Sequence, residues 1–134
     1  MRSRLLLLVA SLSFGIANAL PGAKAYAQTR VVLKSGESAE LMSVYFVSNC
    51  RSVMLGLPEI EILEGPQQVT LSIKEGMVLP RRQNCANRVQ GGVLFATAKG
   101  VTEPLETKIT YRLKYKTKDG DRPRGYVYLL SLFP

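Results

Sequence analysis

The chain has 134 residues, 18 of them Lys or Arg and 10 Asp or Glu, giving a net charge of +8; it contains two cysteines and no histidine or tryptophan. Without histidine, Ser-His-Asp and Cys-His catalysis and histidine-based zinc or iron sites are excluded, and two lone cysteines do not complete a zinc site. No Ser-x-x-Lys dyad sequence or phosphate-binding glycine loop occurs, so neither catalytic residues, a metal nor a cofactor is expected.

At the N-terminus, Arg2 and Arg4 precede the apolar run from Leu5 to Leu20, which Pro21-Gly22 stops, and Ala25-Tyr26-Ala27 follows. A basic start, an apolar middle and a small-residue end make up a secretory signal peptide. The run is interrupted by Ser11, Ser13, Gly15 and Asn18 and falls short of the roughly 20 apolar residues that span a bilayer. Ala17-Asn18-Ala19 is a second cut site, but it lies against the apolar run, whereas Ala27 is followed by the polar Gln28-Thr29-Arg30. Residues 1–27 are therefore read as a signal peptide helix and 28–134 as an exported domain, with no membrane segment left after cleavage. The cut removes Arg2, Arg4 and Lys24 but no acid, lowering the net charge from +8 to +5. A chain of the remaining length forms one domain that buries about 65% of its unfolded surface.

The exported part is punctuated into short segments. Arg30 to Lys34 is a β-branched run and Ser35-Gly36-Glu37 a turn, after which Ala39 to Ser48 is a strand dominated by Leu41, Val44, Tyr45, Phe46 and Val47. Glu59 to Ile62 alternates, Glu64-Gly65-Pro66 breaks it, and Val69 to Ile73 alternates again up to Glu75-Gly76. Met77 to Leu79 pairs briefly before Pro80, Gly91-Gly92 is a turn, and Gly92 to Ala98 is a further strand. Glu59 and Glu61 share a strand face as a pair of glycosidase acids would, but alternate glutamates opposite Ile60 and Ile62 are more simply a solvated face.

Cys50 and Cys85, an even pair in an exported chain, are expected to form a disulfide. On the chain-entropy account, closing a loop of this length contributes about 3 to 4 kcal/mol. The bridge gathers Arg51, Arg81, Arg82 and Arg88 at one end of the domain with no acidic near neighbour. Four guanidiniums repel one another unless an anion or an aromatic ring sits with them. They are a candidate site for carboxylate, phosphate or sulfate groups, against the simpler reading of a solvated, solubilising loop.

Lys108 to Lys116 and Tyr126 to Phe133 are the clearest strands, and Asp119-Gly120 between them signals a hairpin. On the first strand, Ile109, Tyr111, Leu113 and Tyr115 share one face. The other face carries a basic stripe, Arg112, Lys114, Lys116 and Lys118, which Arg122 and Arg124 continue across the turn. Such a stripe is a solvated face or a protected edge, or else a footprint for an acidic surface. Nucleic acid is not the expected ligand, since the chain is exported and shows no RNP-like motif or recognition helix. The last strand is apolar on both faces and belongs in the middle of a sheet or at a partner interface; the simpler expectation is a central strand covered on both sides by the protein itself.

Seven or eight strands at about ten-residue spacing imply an all-β sandwich or barrel. Asn49-Cys50-Arg51, Glu64-Gly65-Pro66, Arg81 to Cys85 and the aromatic C-terminal hairpin resemble small bacterial exported proteins with one immunoglobulin-like domain. That resemblance implies an immunoglobulin-like β-sandwich of about seven or eight antiparallel strands after the signal peptide. The chain departs from antibody-type domains in lacking tryptophan and in the close spacing of its cysteines. The expected function is a non-enzymatic periplasmic or surface module that binds an envelope protein or anionic polymer. The alternative is an accessory or inhibitor protein that docks on an envelope enzyme or secretion component through Tyr126 and Tyr128.

Overall fold

The computed structural model describes residues 29–134, and the expected signal peptide helix and cleavage after Ala27 lie outside them. Nine strands run in order: β1 (Arg30–Lys34), β2 (Ser38–Val44), β3 (Val47–Ser48), β4 (Arg51–Ser52), β5 (Glu59–Glu64), β6 (Val69–Val78), β7 (Val89–Ala98), β8 (Leu105–Thr117) and β9 (Gly120–Phe133). A single 3-10 turn, Arg81–Gln83, interrupts them. No helix among the described residues is long and apolar enough to cross a membrane.

The strands form a four-stranded sheet in the order β1-β9-β8-β5, a three-stranded sheet β2-β7-β6 and the small hairpin β3-β4. Alternation builds the core between the two larger sheets. From β8, Ile109, Tyr111, Leu113 and Tyr115 turn inward with Leu130 and Leu132 of β9, and they meet Val44, Leu94 and Ala96 from the facing sheet. Leu33 of β1 is 1% exposed and closes the same core.

An all-β fold is thus present, with several departures from the sequence reading. The pairing is not wholly antiparallel: β1 runs parallel to β9, from Arg30↔Leu129 to Lys34↔Phe133. An ion pair between Arg30 and Glu106, with Ser131 Oγ bonded to both, holds the start of β1 across β9 to β8. Second, the expected strand over Ala39 to Ser48 is two strands. The ladder with β7 shifts between Glu40 and Met42 and ends at Val44↔Gly92, and Phe46 turns onto Tyr115 of the other sheet with ring centroids 5.2 Å apart.

Third, Gly91-Gly92 is not a turn. Both residues lie within β7, paired with Gly76 and Glu75 of an unbroken β6. A β-carbon on Gly91 would stand 2.2 Å from the Val44 carbonyl oxygen, and one on Gly92 would stand 2.7 Å from that of Lys74. These glycines are places where neighbouring backbones come too close for a side chain.

The β8–β9 hairpin closes on Thr117↔Gly120, so the turn residues are Lys118 and Asp119. β9 is central, flanked by β1 and β8; on its inner face Leu130 and Leu132 are buried, while Tyr126 and Tyr128 are half-buried. Its outer face is covered only in part: Ser131 is 5% exposed beneath Arg30 and Glu106, whereas Val127 is 39% and Phe133 41% exposed, beside Val32 of β1 at 61%. No element among the described residues packs over that face, so the expected cover on both faces is missing at Val127 and Phe133.

Candidate functional site

Cys50 and Cys85 are joined, with their Cα atoms 5.5 Å apart. The bridge does not link the two large sheets. It ties the β3–β4 hairpin to the loop between β6 and β7. Asn49 (φ 50°) and Cys50 (φ 59°) are the two central residues of that hairpin, both in the left-handed region a two-residue hairpin turn requires. At the other end, the 3-10 turn stops at Asn84 (φ 54°), whose N–H donates to Arg81 O at 3.1 Å, and the Cys85 N–H reaches Pro80 O at 3.3 Å. The arginine loop is therefore held by a short helical turn, a left-handed cap and a covalent anchor.

That anchoring sets Arg81, Arg82 and Arg88 along the wall of an open cleft of about 1130 Å³. Its floor is aromatic: Tyr126 and Tyr128 of β9 line it, with Phe46 and Tyr115 at one end. Arg124 joins from β9, its guanidinium 5.4 Å from the centre of the Phe46 ring, the arrangement of a cation–π contact. Glu40 is the one acidic residue among those lining it. None of the ion pairs among the described residues involves Arg81, Arg82, Arg88 or Arg124.

Beneath the floor the tyrosines form a stack. The Tyr111 ring lies 5.4 Å from Tyr126 and 6.2 Å from Tyr128, and its hydroxyl donates to Met42 Sδ at 3.3 Å. Burial pushes the phenols of Tyr111 and Tyr115 far above their ordinary value, with neighbouring tyrosines adding to the effect. Burial also raises Tyr128, opposed first by the neighbouring Tyr111 hydroxyl and least by the charge of Arg82.

Of the four arginines grouped by sequence, Arg81, Arg82 and Arg88 meet at the cleft. Arg51, exposed on β4, is not among its lining residues. The second basic group is arranged differently. Glu61 accepts from Arg112 Nε and Nη2 at 3.2 and 2.7 Å, and Lys114 Nζ lies 4.0 Å from the same carboxylate. Lys116 pairs in register with Asp121, and Lys118 sits in the turn. Arg112 and Lys114 are thus cross-strand partners of Glu61, and Glu59 stands opposite Lys114 in the same ladder. Arg122 and Arg124 do not continue the stripe, because they pair with Tyr115 and Leu113 and so lie on the opposite face.

The sequence reading left Arg124 outside the candidate site. Its signal was parity: Arg124, Tyr126 and Tyr128 alternate on one face of one strand. Glu40 and the β2 wall gave no comparable signal. Comparison of the chain with family models, curated proteins and solved structures finds no match.

Proposed function

We propose that this chain is an exported, non-enzymatic binding module of the bacterial periplasm or cell surface, and that its ligand enters the arginine–tyrosine cleft. The observation that carries this reading is the meeting of Arg81, Arg82, Arg88 and Arg124 with Tyr126 and Tyr128 around one open space. Guanidiniums on a disulfide-anchored loop and the adjoining β9, with no carboxylate partner among the described residues, are prepared for an external anion. A clamped disulfide fits an oxidising compartment, which agrees with the leader read in residues 1–27. The orders β1-β9-β8-β5 and β2-β7-β6 in two facing sheets support an immunoglobulin-like sandwich.

The alternative, an accessory or inhibitor protein docking through Tyr126 and Tyr128, draws on the same cleft, because those tyrosines are its floor. Salt separates the two. An anionic ligand held by the arginines is released as ionic strength rises towards about 1 M, where screening acts over only about 3 Å. The test is binding of dextran sulfate and of purified envelope material to the wild-type protein and to an Arg81→Gln, Arg82→Gln, Arg88→Gln variant. Salt-sensitive binding lost in the variant supports the arginine site. Binding that persists at high salt and in the variant overturns it in favour of a packed apolar interface.

A further inference from the structure

β9 is fourteen residues long, but β1 covers it only from Leu129 to Phe133. The last bond on that side runs from the Leu129 N–H to Thr29 O at 3.0 Å, and the edge of β9 continues past it. Along a strand, every second residue directs its N–H and C=O to the same side. Leu129 and Phe133 face β1, so Val127, Gly125, Pro123 and Asp121 face the same way. Pro123 has no N–H to leave unpaired, which suits an edge. The Asp121 and Pro123 carbonyls accept from Arg122 and Arg124 at 3.4 and 3.0 Å. Gly125 and Val127 then present N–H and C=O groups with no partner among the described residues.

This open edge borders the cleft, since Gly125, Tyr126 and Tyr128 are among its lining residues. Across the cleft lies β2, itself the edge strand of the facing sheet. β1 shows how the gap is filled one step further along: paired to β9, it turns Val31 and Leu33 inward between the sheets. The described pairing of β1 with β9 starts at Arg30↔Leu129.

We propose that an extended, acidic segment of another protein adds to the open edge of β9 in line with β1, with its inward side chains in the cleft. This rests on the binding-module reading and names its partner class. Strand addition would satisfy the backbone at Gly125 and Val127. Alternate apolar side chains would cover Tyr126 and Tyr128, and carboxylates would meet the arginines, which outnumber the lone Glu40. A second copy of this chain is the wrong sign, because the chain is net positive. A polysaccharide has no regular amide ladder to offer the edge. The cleavage after Ala27 that the leader predicts would leave only Gln28 ahead of Thr29.

The test uses protein expressed from the full reading frame, recovered after export, with its N-terminus read by mass. The probes are a blocked peptide Glu-Thr-Val-Thr-Val-Thr-Glu, the same peptide N-methylated at alternate residues, and dextran sulfate. The unmodified peptide is expected to slow amide exchange at Gly125 and Val127 at least about tenfold, and N-methylation to weaken binding about tenfold. Val127→Pro, which removes an edge donor, is expected to lose the peptide but keep dextran sulfate, whereas Arg82→Gln weakens both. Peptide binding without added protection at Gly125 and Val127, or equal binding of the N-methylated peptide, overturns strand addition and leaves the anion site standing. Amides already protected without peptide mean that the chain's own residues or a second copy fill the edge, which also overturns it. Failure of the wild-type protein to bind either dextran sulfate or peptide overturns the binding-module reading and the proposal together.

Discussion

The Tyr128 hydroxyl of β9 donates to the Leu41 carbonyl of β2 at 3.1 Å, so one side chain on the cleft floor bonds the four-stranded sheet to the edge of the three-stranded one. Leu41 lies at the point where the β2–β7 register shifts, between Glu40 and Met42. A displaced register leaves a carbonyl free of its ladder, and Tyr128 takes it up.

Tyr128→Phe removes that bond and keeps the ring. The expected loss is about 1 kcal/mol of stability, or about 5 °C in Tm, because the Leu41 carbonyl is left without its partner. Thermal unfolding followed by circular dichroism checks this. An unchanged Tm would mean that the contact does not hold the sheets together.

Alkali should unfold the protein through the same region. Burial raises the phenols of Tyr111, Tyr115 and Tyr128 above their ordinary value of 10.0 in the folded chain. The unfolded chain keeps the ordinary value, so this stabilisation is complete below about pH 10 and is lost as pH rises above it. Each phenol that ionises only on unfolding contributes a slope of about 1.4 kcal/mol per pH unit. Urea unfolding between pH 8 and 12, with tyrosinate absorbance at 295 nm as the second signal, measures the slope.

Gly91 and Gly76 are paired with each other across β6 and β7 but respond oppositely to a methyl group. Gly91→Ala drives its β-carbon against the Val44 carbonyl and is expected to cost about 3 kcal/mol or more. Nothing lies within 4 Å of the β-carbon position at Gly76, so Gly76→Ala stays within about 0.5 kcal/mol of the wild type. Urea midpoints of the two variants provide the comparison.

Reduction of the Cys50–Cys85 bridge, or a Cys50→Ser, Cys85→Ser variant, is expected to lower stability by about 3 kcal/mol. It should also free the loop carrying Arg81 and Arg82, which the bridge holds against the β3–β4 hairpin. Limited trypsin digestion reads the second effect as early cleavage after Arg81 or Arg82. Loss of stability with no change in cleavage would separate the bridge from the cleft.

The pair formed by Arg112 and Glu61 is half-exposed, so it contributes little. Glu61→Gln is expected to change stability by less than about 1 kcal/mol. It should raise the affinity of this face for dextran sulfate, since Arg112 and Lys114 then lose their shared carboxylate. Retention on a dextran sulfate column at low salt compares the two proteins.

Local chemistry made much of this protein legible from its sequence. Alternation in Ile109 to Tyr115 assigned a buried and a solvated face, an even cysteine pair gave the bridge, and Asp119-Gly120 placed the hairpin within a residue, because each depends on neighbours in the chain or on composition alone. Distance in sequence hid the rest. The close backbone approach that makes Gly91 and Gly92 strand residues comes from Val44 and Lys74. The neutralisation of Arg112 comes from Glu61, 51 positions away. The cleft itself is lined by β2, by the arginine loop between β6 and β7, and by β9, elements far apart in the sequence that only the folded sheets bring around one space.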